Sequence, residues 1–367
     1  MHGGFAEVTD PRRDGERRAR HRARAATGPD EDVAGELERS ATRARARAGL
    51  AAAAAFLERA ATLTRPGPPD GALAKFPASA IEVAQQLLTV AEAGPLEEHL
   101  LARVDLLRAH LTFVTSRGGD APLLLVRAAG QLASTDPGLA RETYLDALSA
   151  TVFAGHLASP GGGALDVARA ASTAPQPLDV PRSPDLLLSG LAANFTDGYA
   201  AEVPPLRQAL ASFGEGMSAD EELRWLWLIT EAVLHLWDDG RWETLSARYV
   251  HLARTAGALS ELPLALSTRA YMLLFTGDLA TATSLTDERR AVADATGGNI
   301  APYSAMALAA FRGSRAEALA LIESTGKDVT LRGESIGAAV ATWANAVLHN
   351  GLGEYPEAMA AAHAALR

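Results

Sequence analysis

The feature that most constrains this chain is a short glycine turn that recurs at nearly constant spacing. The glycines of the five clearest copies are Gly198, Gly240, Gly277, Gly313 and Gly353. By subtraction, they lie 42, 37, 36 and 40 residues apart. The sixth position of the last three copies is alanine, which lets a second helix approach the first closely. Two helices and their connections need about this length of chain, so the spacing predicts an array of helical hairpins.

The composition agrees with helices. Ala, Leu, Arg and Glu, which are strong helix formers, are abundant, whereas no alternating run of β-branched residues persists. Hydrophobic residues make up 48% of the 367 residues and charged residues 21%, a balance that excludes a disordered chain. We therefore predict an all-α fold, a tetratricopeptide-like, right-handed solenoid of helical hairpins.

Several classes of function are excluded or disfavoured by what the sequence lacks. The chain has no cysteine, which excludes disulfides, thiolate metal sites and cysteine nucleophiles. Phosphate-binding GxxxxGK[ST], HExxH and G-x-S-x-G motifs are missing, and the histidines form no i, i+4 pair. The net charge of −10 argues against wholesale nucleic-acid binding. We predict no catalytic, cofactor-binding or metal-binding residue in this chain, and no enzymatic activity.

A membrane span is not predicted either. The richest apolar stretch, 223–237, is shorter than the ~20 residues that a spanning helix needs, and it contains Arg224, Glu231 and His235. No apolar run that could act as a secretory signal follows the arginine-rich N-terminus. The expected location is the cytoplasm.

Four tryptophans lie within or just after this stretch: Trp225, Trp227, Trp237 and Trp242. The helix around them carries two apolar stripes, which is typical of an inner solenoid helix that contacts neighbours on both sides. The pattern favours tryptophans that fill gaps between alanine-lined helices. The alternative is an aromatic pocket for a ligand or peptide on the concave face, and these four residues are then its candidate contacts.

Local signals place helix starts. Ser218 with Glu221, and Ser314 with Glu317, have the spacing of a capping box, in which the two side chains satisfy backbone donors at a helix start. The carboxylate pair at 221–222 then falls in a first helical turn, where negative charge favours the helix dipole. We interpret that pair as structural rather than as a catalytic dyad.

The N-terminal segment is dense in arginine but nearly balanced in charge. Asp14 with Arg18, and Glu16 with Arg20, suit i, i+4 ion pairs on a helix. A solvated charged helix is the favoured interpretation. A nucleic-acid contact is the weaker alternative, because no aromatic residues alternate with the arginines.

Four N-terminal stretches resemble a segment of the large actinobacterial LuxR-type regulators. They read RRARHRA at 17–23, ATGPDEDVA at 26–34, LERSA at 37–41 and GLAAAAAFLERAA at 49–61. Segments 93–96, 103–109 and 140–148 are similar to later parts of the same region. In that family, the segment leads from a STAND-type ATPase module into a tetratricopeptide-like array that senses a signal, and a helix-turn-helix that binds DNA follows.

The resemblance implies a domain plan and a function. Residues 1–48 are expected to form a helical junction, and residues 49–367 a repeat array that is truncated at its C-terminus. The implied function is a signal-sensing and protein-interaction region of a LuxR-type regulator, with a protein partner or a small-molecule inducer. ATP and DNA belong to the modules that this chain lacks, and homo-oligomerisation stays open. The alternative function is a free-standing scaffold that binds a protein or peptide.

Overall fold

The structure is a computed structural model, and its described residues form two units. It describes residues 22, 32–33, 36–37, 80–92, 98–116, 119–177, 179–296 and 300–365. The two units are Met1–Glu97 and Glu98–Arg367. The predicted boundary between residues 48 and 49, and the predicted ion pairs of residues 14–20, lie outside the described residues.

The first unit is described over only a short part of its length. Its helix α1 spans Ala80–Glu92. Val33, Leu37 and Leu88 are buried, and Arg22 forms an ion pair with Glu36.

The second unit consists of helices joined by short connections. No strand occurs among its described residues. Its helices are α2 (Glu98–Ser116), α3 (Ala121–Leu132), α4 (Pro137–Ala154), α5 (Ala164–Ser172), α6 (Ser183–Asp197), α7 (Tyr199–Ser212), α8 (Ala219–His235), α9 (Asp239–Thr255), α10 (Leu262–Thr276), α11 (Leu279–Thr296), α12 (Tyr303–Phe311), α13 (Arg315–Leu331), α14 (Ser335–Gly351) and α15 (Tyr355–Ala365). A 3₁₀ turn, Gly155–Leu157, follows α4.

The helices of this unit pack as two layers. Each even-numbered helix from α4 to α12 contacts the next even-numbered helix, and α14 ends this series. Each odd-numbered helix from α5 to α13 packs against the even-numbered helices that precede and follow it. This arrangement confirms the predicted all-α, tetratricopeptide-like array of helical hairpins.

One of the two predicted capping boxes is present. Ser218 accepts a hydrogen bond from the backbone N–H of Glu221, whose carboxylate in turn accepts from the Ser218 N–H. This box starts α8 and places Glu222 in its first turn. The prediction was wrong for Ser314, which occupies the N-cap of α13 but makes no capping hydrogen bond through its side chain. Spacing alone does not select the rotamer that a capping bond requires.

One predicted turn was assigned to the wrong register. Gly240 lies inside the first turn of α9 rather than between the helices. The left-handed position of this hairpin is instead occupied by Trp237, whose φ is 53°. Asp238 follows as the N-cap, just as Asp278 follows the left-handed Gly277 in the next hairpin. With Trp237 in place of Gly240, the two affected spacings become 39 and 40 residues, which is more regular than predicted. Glycine did not indicate this turn because its left-handed position is occupied by tryptophan, a bulky residue that rarely adopts a left-handed conformation.

The curved inner layer closes on itself. Helix α14 contacts α4 and the 3₁₀ turn after it, although these elements are far apart in sequence. Ser335 Oγ lies 2.8 Å from His156 Nδ1 across this contact. Gly155 has a φ of 48°, and a Cβ atom at this position would lie 2.5 Å from Ser335 Oγ. The contact between α4 and α14 therefore depends on a residue without a side chain.

Candidate functional site

The closed inner layer surrounds a cavity of about 670 Å³. Its wall is formed by five inner helices (α4, α8, α10, α12 and α14), by the turn after α8 and by the start of α9. The lining residues are Phe153, Trp227, Glu231, Val233, Leu234, Trp237, Asp238, Asp239, Trp242, Leu264, Ser267, Thr268, Tyr271, Met272, Phe275, Thr276, Tyr303, Ile336 and Val340. This volume lies within the range of small-molecule sites, which is ~300–1,000 Å³.

Helical periodicity places most of these side chains on the wall. On α8, Trp227, Glu231 and Leu234 are spaced i, i+4, i+7 and so share one face. On α10, the lining residues recur every three or four positions from Leu264 to Phe275. Most of α10 is buried, because it packs against α9 and α11 as well as facing the cavity. Helices α8 and α10 therefore supply most of the lining side chains, and the turn after α8 adds Trp237 and Asp238.

Aromatic rings form most of the apolar wall. The ring centroids of Phe153 and Trp227 are 4.6 Å apart, which joins α4 to α8. Trp242 and Phe275 are 5.7 Å apart, which joins α9 to α10. Behind them, Trp343 on α14 lies 5.9 Å from Tyr271. Ring pairs at these distances favour one arrangement over others and give the wall a defined shape.

The two wall tyrosines are held by their hydroxyl groups. Tyr271 donates to the backbone carbonyl of Tyr303 at 3.3 Å. Tyr303 in turn donates to the buried carboxylate of Glu334, which also pairs with Arg332 at 2.9 Å. Neither ring can turn away from the wall without breaking a hydrogen bond, so the site is organised before any ligand binds.

Glu231 differs in environment from the other acidic residues of the wall. Its carboxylate has no hydrogen-bond or ion-pair partner among the described residues. Burial raises the pKa of Glu231 to about 7, because the charged form loses hydration in these surroundings. Burial, together with the negative charge of Glu231, also raises the pKa of Tyr271.

The four tryptophans named from the sequence lie in three environments. Trp227 and Trp242 are buried in the wall, and Trp237 lines the cavity while 85% exposed, which places it at the open end. Trp225 does not line the cavity. It is buried on the other side of α8, where the Arg224 guanidinium lies 4.4 Å from its ring centroid.

Next to the cavity, a charged cluster joins α8 to α4. Arg224 donates to Glu142 at 2.6 Å and to Asp146 at 2.8 Å, and His110 Nε2 lies 3.1 Å from Asp146. Although burial alone raises the pKa of Asp146, Arg224 and His110 outweigh it and lower that pKa below its usual value. The carboxylates of this cluster are thus fully matched, in contrast to Glu231.

Sequence reasoning missed Glu231, Tyr271, Tyr303 and Phe153 as parts of one site. A local signal existed for Glu231, because it lies four residues after Trp227 and three before Leu234 on an apolar stripe. The other residues come from distant helices and gave no such signal.

The described residues contain no group of three or more His, Asp or Glu side chains placed to hold a metal ion. Within the same residues, every helix is too short or too polar to cross a membrane.

No protein-family model and no curated protein matches this chain. Among solved structures, the chain is similar to aspartyl phosphate phosphatase F from Bacillus subtilis. The two share 11% sequence identity with a TM-score of 0.46, over 93% of this chain and 94% of that chain.

Proposed function

We propose that the second unit senses a signal by binding a small molecule in the cavity that the inner layer surrounds, as part of a transcriptional regulator of the LuxR type. The observation that carries the proposal is the wall itself. Its volume, its aromatic lining and its pre-positioned tyrosines are the properties of a small-molecule site.

The position of the wall also explains how binding of a ligand could change the conformation of the inner layer. Phe153 comes from α4, and Ile336 and Val340 come from α14, which are the helices that meet where the layer closes. A ligand in the cavity contacts both sides of this closure, and it loses those contacts when the closure opens. Binding therefore favours the closed form by the difference in affinity between the two forms. A shift from 1:99 to 99:1 needs about 5.5 kcal/mol of such difference.

The regulatory context is supported by the resemblance of the N-terminal stretches at 17–61. In that context, the closed array passes the signal to a protein partner or to other modules of the regulator. ATP and DNA are bound by those modules. This proposal assigns binding and not catalysis to the cavity.

Occupancy of the cavity is tested with N-phenyl-1-naphthylamine, an uncharged probe whose fluorescence rises in apolar surroundings. We expect saturable binding to the full chain and its loss in Val340→Trp, which fills the cavity from α14. Val340→Phe is a milder second variant, and the matched control is Leu331→Trp, because Leu331 is 88% exposed and outside the wall. Circular dichroism verifies that each variant is folded.

Saturable binding that is unchanged in both folded Val340 variants, or no binding by the wild-type chain, would overturn the proposal. The alternative function is a scaffold that binds a protein or peptide partner outside the cavity. Binding of such a partner would survive both cavity-filling variants.

A further inference from the structure

The charged residues of the cavity wall all have the same sign. Three lining residues are acidic, namely Glu231, Asp238 and Asp239, whereas none of the described lining residues is Lys, Arg or His. A cavity with this lining attracts cations and repels anions before any contact is made.

The three carboxylates differ in what already satisfies them. Asp238 is matched, because it accepts from the Arg241 backbone N–H at 3.0 Å and from the Arg241 guanidinium at 2.8 Å. Asp239 is exposed, so water solvates it. Glu231 is partly buried beside aromatic rings and has no partner among the described residues. An unmatched carboxylate in such surroundings costs free energy, and a ligand that carries a positive charge would remove that cost.

We infer that the cavity binds a small organic cation with an apolar body, whose charged group lies beside Glu231 and whose apolar part packs against the aromatic wall. This inference rests on the proposed function and names its class of ligand. Aromatic faces add to the same preference, because a cation over the face of Trp or Tyr is attracted by the ring. Trp227 lies one helical turn before Glu231, and Tyr271 is close enough to be affected by its charge.

Other classes of ligand fit less well. An anion would meet the unmatched carboxylates of Glu231 and Asp239, with no basic side chain among the described lining residues. An uncharged apolar molecule would fill the volume but would leave Glu231 unmatched. A macromolecular segment is disfavoured because a cavity of about 670 Å³ has the size of a small-molecule site.

The test compares three probes of nearly the same shape. They are (4-phenylbutyl)trimethylammonium, the uncharged analogue in which a quaternary carbon replaces the nitrogen, and 4-phenylbutanesulfonate. Affinities for the full chain are measured by titration of the intrinsic tryptophan fluorescence and by displacement of N-phenyl-1-naphthylamine. We expect the cation to bind at least about tenfold more tightly than the uncharged analogue, with the sulfonate weakest.

The variant that isolates the charge is Glu231→Gln, which keeps the shape of the side chain. We expect it to reduce the preference for the cation to within about twofold, while binding of the uncharged analogue changes little. The matched control is Glu317→Gln, which removes one negative charge from an exposed position of α13 outside the wall. It should leave all three affinities unchanged.

A pH series adds a readout that shape alone cannot produce. The probe is a permanent cation, so only the protein titrates. The titratable groups that line the wall around Glu231 are Tyr271 from α10, Tyr303 from α12, and Asp238 and Asp239 after α8, whereas α4 and α14 contribute none. Between pH 8 and pH 6, where Glu231 gains a proton, the affinity should fall about tenfold in the wild type and stay level in Glu231→Gln.

The outcomes separate this inference from the proposed function. If the uncharged analogue binds as tightly as the cation, or if Glu231→Gln keeps the preference, the cationic ligand is wrong and the apolar small-molecule site stands. If none of the probes binds the folded chain, both fail.

Discussion

Two acidic residues of this molecule, Asp185 and Glu231, are shielded from solvent, the first fully and the second in part, but they differ in what surrounds them. Asp185 in α6 is buried and accepts from Arg141 Nε at 2.6 Å, and Arg141 also donates to the carbonyl of Pro175 at 2.8 Å. Glu231 in α8 has no such partner among the described residues, and its pKa is raised by burial. The first residue joins helices, whereas the second leaves a charge unmatched inside a cavity.

The contrast teaches how to separate a structural acid from a candidate ligand-binding one in a repeat array. When the partner of a matched acid is removed, the folded protein becomes less stable. When the charge of an unmatched acid is removed, the folded protein becomes more stable, because no partner offsets the free-energy cost of that charge.

The largest effect is expected at the matched acid. Arg141→Met removes the buried guanidinium that pairs with Asp185 and leaves its carboxylate only the Arg182 backbone N–H and the more distant Arg182 guanidinium. The free energy of unfolding should therefore fall by about 3 kcal/mol. Urea denaturation followed by circular dichroism measures it. The double variant with Asp185→Leu should recover a large part of the loss. Lys327→Met is the control, because Lys327 pairs with Glu323 on the surface, and such pairs contribute at most ~1 kcal/mol.

If Arg141→Met costs no more than the surface control, the ion pair of Arg141 with Asp185 does not stabilise the fold. The comparison of a structural acid with Glu231 would then have no structural acid.

The unmatched acid should respond with the opposite sign. The folded-state pKa of Glu231 is about 7 and lies above its ordinary value of 4.5. The folded state therefore holds the proton more tightly, and ionisation costs stability as the pH rises from 4.5 to 7. Glu231→Gln removes that cost and should stabilise the unliganded chain by up to about 3 kcal/mol at pH 8, with the gain vanishing near pH 4.5.

The measurement is the urea midpoint of wild type and variant across pH 4.5–8. A variant that is less stable than the wild type at pH 8 would show that Glu231 has a favourable partner in the folded chain. The cation inference would then lose its basis.

Asp146 supplies a pH dependence of the opposite direction. Despite burial, Arg224 and His110 lower its pKa below the ordinary 3.8, so its contribution to stability is complete above that value and is lost as the pH falls through the lowered pKa. Asp146→Asn should cost about 2 kcal/mol, and in a His110→Gln background, which removes the neighbouring imidazole, the cost should stay constant between pH 5 and 8. The same urea series measures it.

Glu231→Gln changes its effect over that interval, and Asp146→Asn should not. A steady cost from Asp146→Asn beside a rising gain from Glu231→Gln would assign the two pH dependences to two separate carboxylates. A cost from Asp146→Asn that varies strongly between pH 5 and 8 would contradict the assignment.

Most of the fold could be predicted from the sequence, because its signals are local. The glycine turns at Gly277, Gly313 and Gly353 fix hairpins through a left-handed backbone that glycine adopts without strain. Ser218 and Glu221 mark a helix start through a bond between neighbours three residues apart. Such signals depend on a few consecutive residues, so they can be found without the tertiary structure.

The site could be predicted only in part, because it depends on distant neighbours. The pattern around α8 brought Trp227 and Trp242 forward as candidates, and both line the cavity. Nothing local indicated that His156 and Ser335, which are 179 residues apart, would meet and close the layer. The isolation of Glu231 likewise depends on which side chains α10 and α12 present to it.

The smallest expected effect concerns Trp237, where the turn departs from its glycine pattern. Its φ of 53° is strained for a bulky residue, and its side chain is 85% exposed, so little apolar burial compensates. Trp237→Gly should therefore stabilise the unliganded chain by about 1 kcal/mol, measured as an increase in the urea midpoint. Gly277→Ala, at the same position of the next hairpin, is the reverse control and should destabilise by a similar amount.

If Trp237 contacts ligand at the open end of the cavity, Trp237→Gly should also weaken binding of the phenylbutyl cation by a few-fold, at about 1 kcal/mol. A variant that gains stability and keeps its full affinity would assign Trp237 to the turn alone and leave Trp227 and Trp242 as the tryptophans of the binding wall.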